Sequence, residues 1–115
     1  MAVDKSLQAG SLSMMLLKLV AEEDRYGYQM IEALRMRSDD TFVLKAGTLY
    51  PLLRGLEEKG YLVSYEQEAE NGRMRKYYSI TLEGQKQLEA KTTEWKAFSK
   101  AVERVMNGGA SYAAG

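Results

Sequence analysis

The apolar residues of the first half of the chain recur at helical spacing. Leu12, Met15, Leu16, Leu19 and Val20 stand at i, i+3, i+4, i+7 and i+8, which places them on one stripe of a helix. Met14 and Leu17 fall beside that stripe and add an apolar flank, so the first helix is expected to pack on more than one side. Asp24 to Tyr28 punctuates the chain, after which Tyr28, Ile31 and Leu34 repeat at helical spacing up to the polar run Arg35 to Asp40. Leu49, Leu52, Leu53 and Leu56 form a further i, i+3, i+4, i+7 stripe, closed by Lys59 and Gly60 as a positive last turn and a glycine stop. Pro51 is tolerated if this third helix starts near Thr48, with Thr48 as its N-cap.

The period then changes. Tyr61 to Gln67 and Lys76 to Ile80 are rich in Tyr, Val and Ile, and the polar stretch Glu68 to Arg75 between them holds the turn signal Asn71-Gly72. Two strands joined by a flexible tip are predicted. Thr81 reads as an N-cap with Glu83 in the first turn, and a helical pattern without proline runs to Met106. At ~1.5 Å per residue such a helix is roughly 35 Å long, more than a small domain covers. It carries a heptad seam, Leu88, Trp95 and Val102, with Phe98 and Val105 three residues after the latter two and Lys91 as an interruption. Packing on its own domain is one reading of this seam, and its length favours a partner chain.

The fold class that follows is α+β, mainly α: a winged helix-turn-helix over residues 7–81, a dimerisation helix over 82–106, and a Gly-, Ala- and Ser-rich tail at 107–115 that is expected to be flexible. The dimer interface is expected to use Met14 and Leu17 of the first helix with Leu88, Trp95, Phe98, Val102 and Val105 of the last.

Composition narrows the chemistry. With neither cysteine nor histidine, disulfides, thiolate chemistry, most zinc sites and the usual general base near neutral pH are removed, so no catalytic residue, metal or cofactor is assigned. No apolar run approaches a membrane span and no secretory signal opens the chain, so a cytoplasmic protein is expected. Lys and Arg together number 16 and so do Asp and Glu, which leaves a nucleic-acid reading to local patterning.

Such patterning exists in two places. The third helix, which enters the major groove in winged helix-turn-helix proteins, carries Thr48, Pro51, Arg54, Gly55 and Glu58 opposite its leucines, with Lys45 and Tyr50 at its leading edge. Lys, Thr, Tyr and Arg donate to phosphates, and Arg reads guanine through a bidentate pair. In the hairpin, Arg73, Arg75 and Lys76 lie within an acid-free stretch from Asn71 to Tyr78, although Glu66, Glu68 and Glu70 stand just upstream. The competing readings are a solvated helix face, a winged-helix protein-interaction module without DNA binding, and a small-molecule binder or enzyme built on the aromatic seam. The last lacks a nucleophile-and-base pair, phosphate loop or metal cluster.

The run Tyr26-Gly27-Tyr28-Gln29-Met30-Ile31, the stretch Gly47-Thr48-Leu49-Tyr50-Pro51-Leu52-Leu53 through Leu56-Glu57-Glu58-Lys59-Gly60-Tyr61-Leu62, the wing Asn71-Gly72-Arg73-Met74-Arg75-Lys76-Tyr77-Tyr78 and Thr81-Leu82-Glu83-Gly84 closely resemble PadR-family transcriptional regulators. The match extends over roughly Leu7 to Met106. The resemblance implies a homodimer whose third helices and wings contact a double-stranded DNA operator, with the last helix packed on the partner's first. The short form, with one C-terminal helix, is similar to multidrug-responsive repressors, in which a tryptophan of that helix lines a flat pocket at the dimer centre. Trp95 matches it, the resemblance places Ser99, Ser13 and Leu17 at the same pocket for a flat aromatic effector, and Phe98 of the seam joins them as a neighbour of Trp95. One departure is Gly55, where family members often carry a second basic residue.

Overall fold

A computed structural model describes residues 10–108. The chain runs through α1 (Leu12–Glu22), β1 (Arg25–Tyr26), α2 (Gly27–Arg37), α3 (Ala46–Glu58), β2 (Leu62–Glu68), β3 (Met74–Ile80) and α4 (Leu82–Met106). The three strands form one antiparallel sheet in the order β1-β3-β2. This is a winged helix-turn-helix with a long last helix. Residues 7–9 of the expected winged domain and 109–115 of the expected tail lie outside the described residues.

The core gathers the predicted stripes. Leu16, Leu19 and Val20 of α1 meet Leu34 of α2 and Leu49, Leu53 and Leu56 of α3, closed below by Leu62 and Tyr78 of the sheet. Two expectations about α1 and α2 are corrected here. Leu17 is 1% exposed and belongs to this core, so it lends nothing to an outer flank, whereas Met14 stays half-buried. Tyr28 is 63% exposed, because α2 begins at Gly27 and its inward stripe is buried Gly27, Met30 and Leu34 with half-buried Ile31, which fits the i, i+3, i+4, i+7 template better. The residues before it form β1, which pairs Arg25 with Tyr78 and Tyr26 with Tyr77.

The turn between α2 and α3 holds two successive non-glycine residues in the left-handed region, Asp39 (φ 52°) and Asp40 (φ 64°). That conformation is costly for both. It is held by the Asp40 N–H donating to the Arg35 carbonyl (2.9 Å) and by the Arg35 guanidinium on the Asp40 carboxylate (2.7 Å). The third helix starts at Ala46 with Lys45 as its N-cap, so Thr48 is not the cap and Pro51 lies at the sixth helical position. The missing proline N–H leaves the Gly47 carbonyl unpaired, and both residues sit on the exposed face, where solvent supplies the lost bond.

Glu22 ties the helices together from outside. Its carboxylate accepts from Arg37 at the end of α2 and from Arg25 (3.2 Å), with Lys18 at 3.8 Å. The Arg37 hydrogen bond leads the causes that hold Glu22 at about 2, against an ordinary value of 4.5. A depressed carboxyl contributes stability above its unfolded value and loses it as pH falls toward its folded value. Glu22→Gln is therefore expected to lower stability near neutrality and to flatten its decline between about pH 4.5 and 2, read from urea midpoints across that range.

The last helix starts as predicted. Thr81 caps α4, its hydroxyl oxygen accepting from the Gly84 N–H (2.9 Å) while its O–H donates to the Gly60 carbonyl (2.6 Å). Only the first half of α4 rests on the domain, through Gly84 and half-buried Leu88. Beyond it the helix projects, and Trp95 (48% exposed), Phe98 (67%), Val102 and Val105 (74%) form an uncovered stripe. Among the described residues no helix is long and apolar enough to cross a membrane.

Candidate nucleic-acid interface

The third helix is fixed from one side only. Leu49, Leu53 and Leu56 are buried, and the opposite face carries Gly47, Thr48, Pro51, Arg54 and Glu58, all exposed. Lys45 stands exposed at the helix start, next to the positive end of the dipole. Tyr50 is partly exposed and its ring lies against Gly27, leaving no room for a side chain there, so α3 is seated directly on the start of α2. Lys45, Thr48, Tyr50 and Arg54 are thus brought to one accessible surface. Gly55 meets open space and carries no group to it.

The wing is longer and better closed than its sequence suggests. Its second strand starts at Met74, two residues before the expected Lys76, so the tip shrinks to Ala69–Arg73. The Gly72 N–H donates to the Ala69 carbonyl (2.9 Å), the Ala69 N–H to the Arg73 carbonyl (2.8 Å), and the Asn71 side-chain oxygen accepts from the Arg73 N–H (3.0 Å). Gly72 takes φ +80°, which explains the glycine after Asn71.

The three wing cations diverge. Arg73 is exposed at the tip and forms no ion pair among the described residues. Arg75 points to the outer face of the sheet, its guanidinium 5.3 Å from the Tyr26 ring centroid, beside an edge-to-face contact of Tyr26 with Tyr77 and a stack of Tyr77 on Tyr65. Lys76 points to the opposite face, toward α3, where its ammonium lies 3.8 Å from Glu57. The upstream acids do not take these charges: Glu66 stands opposite Lys76 and Glu68 opposite Met74 in the ladder, yet the Lys76 ion pair is with Glu57. Glu57 is a residue that sequence reading missed. Its signal was an acid flanking a leucine stripe, where a charge needs a partner.

The aromatic seam resolves into two parts. Met14, Leu19, Leu34, Phe42, Leu88 and Trp95 line an open cleft of about 430 Å³ between α1, the end of α2 and the near half of α4, together with Lys18, Arg37 and Lys96. Phe98, Val102 and Val105 lie farther out on α4. Ser13, Leu17, Phe98 and Ser99 do not line the cleft, and the buried Leu17 is unavailable to a ligand or a partner without repacking the core.

Known proteins share this arrangement. The sequence profile of the Transcriptional regulator PadR-like family matches residues 16–90. The chain is 32% identical to the transcriptional regulator Rv3488 of Mycobacterium tuberculosis over 111 residues, 96% of each chain. Its fold is similar to that of a transcriptional regulator from Clostridium thermocellum, with a TM-score of 0.79 and 34% identity over 87% of this chain and 97% of that one. It is also similar to a PadR family transcriptional regulator from Eggerthella lenta, with a TM-score of 0.76 and 32% identity over 88% of this chain and 86% of the other. With the third helix, wing and long last helix in place, the chain belongs to the PadR-like family of transcriptional regulators, and is a DNA-binding regulator rather than an enzyme.

Proposed function

We propose that the protein is a homodimeric repressor that binds a palindromic operator and releases it on taking up a flat aromatic effector. The observation that carries this reading is the exposed stripe that runs from Trp95, at the edge of the cleft, through Phe98 and Val102 to Val105 on the projecting half of α4. One protomer presents a single recognition helix, and pairing through α4 doubles it, so that a two-fold axis in the protein meets a two-fold axis in the DNA. The partner's α4 supplies apolar cover for the cleft and the stripe together. Within each half-site, Thr48, Tyr50 and Arg54 face the major groove, Lys45 meets phosphate at the helix start, and Arg73 reaches the flanking backbone. Trp95, on the seam near the two-fold, offers an indole face on which a planar compound stacks.

The test is the salt dependence of binding to a duplex enriched by this protein from a random-sequence pool. Wild-type affinity falls steeply as salt rises, and Arg73→Ala flattens the log–log slope by about one unit per protomer while weakening all sequences alike. A wild-type protein that retains no duplex from the pool is instead a protein-interaction module. An unchanged slope for Arg73→Ala removes the wing from the contact.

A further inference from the structure

The two elements that face DNA, α3 and the wing, are joined by side-chain polar contacts through a single residue among the described ones. Glu57, on the flank of α3 beside Leu53 and Leu56, keeps only 27% of its side chain exposed. One of its oxygens accepts from the Ser64 hydroxyl on β2 (2.9 Å), and the other lies 3.8 Å from the Lys76 ammonium on β3. Ser64 stands opposite Tyr78 in the ladder, and the Lys76 ammonium is 5.6 Å from the Tyr78 ring centroid, so all three belong to the side of the sheet that faces α3. The Tyr78 ring is itself buried in the core. Lys76 is therefore held between a carboxylate and an aromatic face, while Arg73 stands clear at the tip.

We infer that Glu57 is the positioning residue of the DNA-contacting surface: it clamps the wing to the recognition helix, and Lys76 serves it as a counter-ion and not as a phosphate ligand. The inference rests on the DNA-binding reading above and corrects the role that the acid-free wing suggested for Lys76. A half-exposed ion pair at this distance contributes little to stability. Its effect is geometric. A helix in the major groove and a wing tip on the flanking backbone engage together only if the spacing between them is fixed, and a loosened wing loses most on the sequence for which that spacing is correct.

The experiment compares wild type, Lys76→Met, Glu57→Ala and the double variant on the enriched duplex and on an unrelated duplex of equal length, each across a salt series. Lys76→Met is expected to leave the salt slope unchanged and to lower the ratio of specific to unrelated affinity about three- to thirtyfold. Glu57→Ala lowers that ratio similarly, and the double variant is no worse than either single one, as for two halves of one contact. Glu57→Gln keeps an acceptor for Ser64 without the charge. It gives an intermediate ratio and stands in for the alanine variant if that fails to fold. A slope flattened by about 0.9 in Lys76→Met, with both duplexes weakened equally, makes Lys76 a phosphate ligand and overturns the inference. So do additive losses in the double variant. Absence of salt-dependent binding by wild type has a different meaning, because it removes the DNA-binding reading itself and the clamp with it.

Discussion

Val102→Asp is expected to turn a dimer into a monomer. Val102 lies on the stripe that runs from Trp95, at the edge of the cleft, out to Val105 on the half of α4 that its own domain does not reach. Helices this polar on their other faces do not persist as isolated projections, since most helical stability in proteins comes from packing an apolar face. The 25-residue α4 therefore needs a second surface. A carboxylate placed at position 102 would be buried there without a partner, at a cost of several kcal/mol. In an assembly whose folding is linked to protomer concentration, that loss appears as dissociation or unfolding. Sedimentation gives the mass, and far-UV circular dichroism separates the two outcomes. A variant that keeps the wild-type dimer mass, or a wild type that sediments as a monomer, contradicts the assignment of α4 as the interface.

The second large effect is a pair of identical substitutions with opposite sign. Helix propensity alone favours alanine over glycine by ~1 kcal/mol at any interior position. At Gly55 a methyl group meets open space, so Gly55→Ala is expected to stabilise by about that amount. At Gly84, in the first turn of α4, the added carbon would collide with the backbone carbonyl of Tyr61 and crowd Ile80. That carbonyl accepts from the Thr81 N–H (3.0 Å) and cannot move away without loosening the junction of wing and helix. Gly84→Ala is expected to destabilise by about 1 to 3 kcal/mol despite its better propensity. Denaturant midpoints at one fixed protein concentration measure both. Stabilisation by both substitutions would mean that α4 is not seated on the turn after α3.

How much of this was legible follows from the kind of signal each element leaves. The stripes of α1 and α3 repeat a helical template and were found with their core residues, and the Thr81 cap was found because a threonine followed by an acid, Glu83, opens the helical pattern. The strand β1 left no signal, since two residues cannot show alternation. It exists because β3 has a free edge that Arg25 and Tyr26 complete. The start of α3 was misplaced because Pro51 argued for a late beginning, whereas an exposed Gly47 carbonyl allows the proline deeper inside. The candidate site was legible as a set of residue types, and the surface formed by Lys45, Thr48, Tyr50 and Arg54 is accessible as a set. What the sequence could not reveal was direction. Arg75 and Lys76 are neighbours in an acid-free run, yet successive strand residues point to opposite faces, so one meets Tyr26 and the other Glu57. Leu17 shows the same limit on a helix, where a residue beside the main stripe proves to be buried in the core.

Hydroxyl-radical footprinting of the protein on the duplex it enriches from a random pool decides whether two recognition helices act together on DNA. Two symmetric protected windows centred about 10 base pairs apart are expected, appearing together at a single protein concentration as a dimer docks both third helices in successive major grooves. A single window that saturates with one protomer per duplex, or a duplex left uniformly cleaved, would contradict it.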